Sequence, residues 1–122
     1  MKLKFGNPNA KLKQLTKKLK LKLSTFSLPS GHTCPGALDC LSKADRDTGK
    51  ITDGKHTEFR CFQASAEAVY PSLRNAVWHN FDTIKETMTN AWRYNKDKAE
   101  ALADLICESL PKKFDVMCVH VG

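Results

Sequence analysis

The 122 residues make one domain or part of one, and the 41% hydrophobic content supplies a core with the narrow stability margin of a small domain. The formal charge of +7 is uneven: residues 1–31 hold eight lysines and no acid, so the rest of the chain is nearly neutral. No window approaches the run of about 20 apolar residues that a spanning helix requires, and no apolar segment follows the basic start MKLKF, so neither a membrane partner nor a secretory signal is expected.

Asn7-Pro8-Asn9 is a turn and a candidate cap. Leu12, Leu15 and Leu19 recur at i, i+3 and i+7, which predicts a short helix with lysines on its outer side. The period then changes. Leu19, Leu21 and Leu23 alternate with Lys20, Lys22 and Ser24, which predicts a strand over residues 20–28 ended by Leu28-Pro29. The apolar phase slips between Leu23 and Phe26, the signature of a bulge or of burial on both faces. In this basic arm, residues 1–28, Lys11, Lys13, Lys17, Lys18, Lys20 and Lys22 are candidate contacts to nucleic-acid phosphates or another anionic surface. The same lysines would equally solvate one face of an amphipathic segment. The absence of arginine, with one aromatic (Phe5) near the start, weighs towards that simpler role.

Residues 29–62 are a cysteine-containing loop with little periodicity. Asp45 to Gly54 is dense in turn residues and places acids at alternate positions, as calcium loops do. Its glycine falls one place early and its twelfth position is His56, so a surface turn or short hairpin is expected instead. Residues 63–110 are helical: a short helix over Gln63 to Val69, then one over residues 71–93 that Pro71 opens. Its apolar stripe is Leu73, Val77, Phe81, Ile84, Met88 and Trp92. Asp97 begins a further helix with Leu102, Leu105, Ile106 and Leu110 on one side, stopped before Pro111. Phe114 to Gly122 is a short apolar run that reads as a buried strand, residues 114–121. Strand, helical crossover, strand implies a parallel α/β arrangement. Two strands alone do not sustain a parallel sheet, so the chain is expected to be the N-terminal part of a longer fold.

The chemistry-bearing residues are His32-x-Cys34-x5-Cys40-x20-Cys61. Five cysteines in a chain that reads as cytosolic favour free thiols or ligands over a disulfide framework. The spacing matches neither the zinc knuckle nor the ferredoxin run. Three thiolates on one irregular segment can still converge on a soft metal, zinc or an iron–sulfur cluster, with His32 as a fourth ligand or a nearby donor. Structural thiols and a disulfide remain the alternatives. Cys107 and Cys118 sit in apolar patterns where a cysteine acts as a small hydrophobe. His79 lies just off the long helix's stripe and reads as a boundary histidine. His120, near the end of the last predicted strand, is the histidine best placed for catalysis.

The run STFSLPSGHTCPGALDCLSKADRDTGKITDGKHTEFRCF, then YPSLRNAVWHNFD, then VMCVHVG, resembles the phage gene product 88 family over residues 5–122, most specifically from Thr25 to Asp82. Cys34, Pro35 and Ala37 fall on its Cys-Pro-x-Ala segment, Cys40 on the cysteine that follows it, and Cys61 on the later cysteine. The resemblance implies a barrel-like α/β fold and a phage protein working in the bacterial host cytoplasm. Relatives continue past the His-Val-Gly strand, which again implies an N-terminal piece. No particular reaction is implied. Two functions compete: a metal-dependent enzyme with a cysteine-ligated site, and a non-enzymatic module that docks its lysine arm on nucleic acid.

Overall fold

The first helix begins where the lysine–leucine pattern begins. In the computed structural model, which describes residues 2–7, 10–34, 42–54 and 61–119, α1 spans Ala10–Leu19. There follow β1 (Leu23–Phe26), β2 (Lys43–Ala44), β3 (Ile51–Thr52), α2 (Phe62–Val69), α3 (Pro71–Arg93), α4 (Lys98–Ser109) and β4 (Val116–Val119). The class is mixed α/β, with the N-terminal and C-terminal strands flanking a long helical crossover. The described strands form two two-stranded sheets, and no barrel closes among them. The chain divides into two compact units, one built from residues up to Ser27 and from Asp82 onward, the other from Leu28–Phe81.

In the first unit β1 and β4 run parallel, pairing Leu23 with Val116 and Phe26 with Val119. The N-terminal segment adds an antiparallel bridge on β1: Gly6 N–H donates to the Thr25 carbonyl at 2.8 Å, and Thr25 N–H to that of Gly6 at 3.0 Å. A Cβ on Gly6 would meet Thr25 Oγ1 at 2.8 Å, so a larger residue here would have to displace that hydroxyl. Lys22 N–H donates to Asp115 Oδ2 at 2.7 Å, fixing where β4 starts. Leu3, Ala91, Ala101 and Leu105 are buried here. Beside them, Leu3, Phe5, Phe26, Ile84, Leu105 and Met117 help line a cavity of about 260 Å³ whose walls are apolar throughout. The expected burial of the last strand does not hold, since Val119 is 55% exposed. Among the described residues β4 has one neighbouring strand, so one edge and parts of both faces lack cover. Trp92, expected on the stripe of α3, is 76% exposed because it falls in the last turn of that helix.

The break between α3 and α4 is chemically defined. Asn95 takes a left-handed φ of 52°, Lys96 N–H donates to the Ala91 carbonyl at 2.7 Å, and Asn95 N–H donates to that of Trp92. This double closure satisfies carbonyls that the helix end would otherwise leave open. Two residues later the Asp97 carboxylate accepts from Ala99 N–H (2.8 Å) and Glu100 N–H (3.2 Å), capping α4.

The second unit packs α2 on the β2–β3 hairpin, which pairs Lys43 with Thr52 and Ala44 with Ile51. The turn-rich stretch after Asp45 is thus a hairpin, as its composition indicated. Asp45 Oδ1 accepts from Thr48 N–H (2.8 Å), Thr48 Oγ1 (3.0 Å) and Asp47 N–H (2.9 Å). These bonds, Thr48 N–H foremost, hold the Asp45 carboxyl below its ordinary range. Its contribution to stability is therefore present above the ordinary carboxylate value and disappears as pH falls through the lowered one.

The hairpin is fastened by Arg74, a buried guanidinium on α3. Nε donates to the Arg46 carbonyl (3.2 Å), Nη2 to that of Asp47 (3.4 Å), and Nη1 to those of Glu67 (3.0 Å) and Ala68 (3.5 Å). Gly49 makes this close approach possible. It has a φ of +75°, and a Cβ there would drive into Arg74 Nη1. Gly49→Ala should therefore cost about 2–3 kcal/mol, from backbone strain and from displacing the guanidinium, read as a lower urea midpoint. Asp97→Ala should cost about 1 kcal/mol by the same measurement, because two N–H groups of α4 lose their acceptor.

Candidate functional site

The second unit contains most of the residues singled out for chemistry. Its centre is a turn over residues 29–34 that lies on a buried carboxylate. Ser30 N–H donates to Glu67 Oε2 at 3.1 Å, and Glu67 is fully buried on α2. Thr33 Oγ1 donates to the Pro29 carbonyl at 2.7 Å. Gly31 has a φ of +71° and passes so close to the Ser42 carbonyl and the Lys43 side chain that a Cβ could not fit. With the turn fixed in this way, Gly31 N–H points at Cys34 Sγ, 3.3 Å away.

Aromatic contacts flank the turn. The His32 ring meets Trp78 edge-on at 4.7 Å, Trp78 meets Phe81 at 5.4 Å, and the Arg46 guanidinium sits 5.1 Å over the Trp78 ring. Partial burial first, and the Lys43 charge second, lower the His32 pKa and favour its neutral imidazole. Three buried side-chain atoms in this unit, Ser30 Oγ, Gln63 Nε2 and Trp78 Nε1, have no hydrogen-bond partner among the described residues. Buried polar atoms of this kind are uncommon in folded proteins.

Cys34 and Cys61 are free and half-buried, and Cys61 occupies the residue before the first turn of α2. Cys40 and His120 lie outside the described residues. Among the described residues, no three His, Cys, Asp or Glu side chains gather as metal ligands. His32, Cys34 and Cys61 therefore do not complete a ligand set by themselves. Cys107, expected in an apolar setting, is exposed on α4, whose apolar side is carried by Ala101 and Leu105. Cys118 is half-buried in β4 and His79 half-buried on α3.

The candidate lysines lie in the first unit. Lys13, Lys17 and Lys18 are exposed on α1; Lys20, with a φ of 54°, ends it; Lys22 precedes β1; and Lys11 lies in the first turn of α1. No helix among the described residues is long and apolar enough to cross a membrane.

Sequence reasoning did not single out Glu67, Ser30, Gln63, Trp78 or Arg74. One signal was available. In FQASAEAV the glutamate follows Gln63 by four residues and is surrounded by alanines, which marks a helix face that packs closely.

Compared with known proteins, the chain matches the family described as Gene product 88 over residues 1–121. No curated protein and no solved structure matches the chain.

Replacing Glu67 tests the turn directly. Glu67→Ala should cost about 1–3 kcal/mol, because the buried Ser30 N–H loses its acceptor, and should speed modification of Cys34 by a thiol reagent. Glu67→Gln, which keeps a carbonyl oxygen, should show the smaller effect in both measurements.

Proposed function

We propose that this chain, which belongs to the gene product 88 family, holds a soft metal ion or an iron–sulfur cluster through Cys34, Cys40 and Cys61, as part of a metal-dependent enzyme in the host cytoplasm. The observation that carries this reading is the Gly31 N–H aimed at Cys34 Sγ. Backbone N–H groups directed at a ligating sulfur tune the potential of clusters bound through cysteine. An ordinary core thiol needs no such donor.

The supporting frame is the immobility of the turn. Glu67, Gly31 and the Thr33 hydroxyl hold Cys34 in place before any ligand arrives, which reduces the ordering cost of binding. Cys34 and Cys61 belong to the same unit, Leu28–Phe81. Because His32, Cys34 and Cys61 do not form a ligand set alone, the reading requires Cys40. His32, two residues before Cys34, is a fourth ligand or a donor to the site. A bound cluster would supply one-electron chemistry, and the chain's own residues would hold and orient it.

Anaerobic expression followed by iron, zinc and acid-labile sulfide analysis tests the proposal. Bound metal that is lost in each of Cys34→Ala, Cys40→Ala and Cys61→Ala is the expected result. Iron with sulfide identifies a cluster, and zinc without sulfide a mononuclear site. Metal-free, colourless protein in which all three thiols react freely would overturn the reading.

A further inference from the structure

We infer that α1 lies on the anionic surface of a lipid bilayer. Leu12, Leu15 and Leu19 share one face of this helix, and the structure leaves most of that face uncovered: Leu15 is 50% and Leu19 54% exposed, and only Leu12 is half-buried. Thr16 belongs to the same side, and its hydroxyl is engaged by the Leu12 carbonyl at 2.7 Å, so the stripe gains no free polar group there. Lys13, Lys17 and Lys18 occupy the opposite side and are exposed. Lys20 and Lys22 follow directly, and residues 1–31 contain no acid.

A nucleic acid and an anionic bilayer would both attract these lysines. They differ in what happens to the leucines. A phosphate backbone pairs with the ammonium groups and offers the leucine stripe no apolar phase, and α1 carries neither the arginine nor the aromatic ring that would stack on bases. A bilayer accommodates both sides of the helix. The leucines enter the boundary between headgroups and acyl chains, while the lysine stems lie along it and their ammoniums reach the lipid phosphates. A second copy of the chain is disfavoured, since two arms of charge +8 repel. With three leucines the attachment is weak, reversible and sensitive to salt. Length alone argued against a membrane partner, because a three-leucine stripe is far shorter than a spanning segment. It is the exposure of Leu15 and Leu19 that changes the conclusion.

The test is co-sedimentation of the full chain with vesicles of phosphatidylglycerol and phosphatidylcholine, against pure phosphatidylcholine vesicles, at low and high salt. A duplex DNA of about 20 base pairs is assayed in parallel, long enough to meet the whole arm. Binding only to the anionic vesicles, weakened by salt and reduced about tenfold in the Leu15→Gln, Leu19→Gln double variant, is the expected result. Both leucines are exposed, so the variant should keep its fold, and far-ultraviolet circular dichroism checks that it does. Undiminished vesicle binding by the double variant would overturn the inference. So would DNA binding with no vesicle binding, which would return the arm to a nucleic-acid role.

Discussion

The unit from Leu28 to Phe81 depends on the Arg74 guanidinium. From α3 it reaches two carbonyls at the end of α2 and two in the hairpin turn, tying three elements together. The end of a helix carries partial negative charge and unsatisfied carbonyls, so a buried cation there is met electrostatically as well as by hydrogen bonds. A guanidinium suits the task better than an ammonium, because its planar fork aims several donors at once. Once α2 is fixed, Glu67 on that helix is fixed too, and through Ser30 so is the turn that carries Cys34. The geometry of the turn over residues 29–34 thus follows from an arginine forty residues beyond Cys34.

The periodic parts of the chain were legible in the sequence. The long helix runs over Pro71–Arg93 as its apolar spacing and its opening proline require, and Asp97 caps the next helix where the break in pattern placed it. The parallel pairing of β1 with β4 follows from strand order with a helical crossover between. The strand predicted over residues 20–28 narrows to Leu23–Phe26, because Lys20 turns through a left-handed conformation and Pro29 follows close behind.

What could not be read was burial. Periodicity says which residues share a face but not whether anything covers it. Leu15, Trp92, Ile106 and Val119 all lie in apolar patterns, and all are exposed. The reverse holds for Glu67 and Arg74, which a sequence reading assigns to solvent and which the fold buries. Several of their partners lie in the turn at Ser30 and in the hairpin after Asp45, stretches with no periodicity, so local spacing carries no trace of those contacts. The cysteine spacing was visible, but its meaning depends on backbone direction. The N–H of Gly31 on Cys34 exists because of a left-handed glycine and a buried carboxylate, and neither belongs to a metal motif.

The two units depart from a closed globule in opposite directions. In the unit from Leu28 to Phe81, polar atoms are withdrawn from water: Ser30 Oγ, Gln63 Nε2 and Trp78 Nε1 lack partners among the described residues. A buried donor left without an acceptor costs roughly 1–3 kcal/mol, so a unit that contains several gains stability from any acceptor brought near them. Thiolate and sulfide are acceptors. In the other unit apolar atoms face water, on α1, along β4 and at the mouth of the apolar cavity, and acceptors would bring no such gain. There the favourable neighbour is an apolar layer, and on the arm one that is also negatively charged. The same energetic rule, that burial should match polarity, therefore favours different neighbours in the two units: hydrogen-bond acceptors in one and an apolar layer in the other.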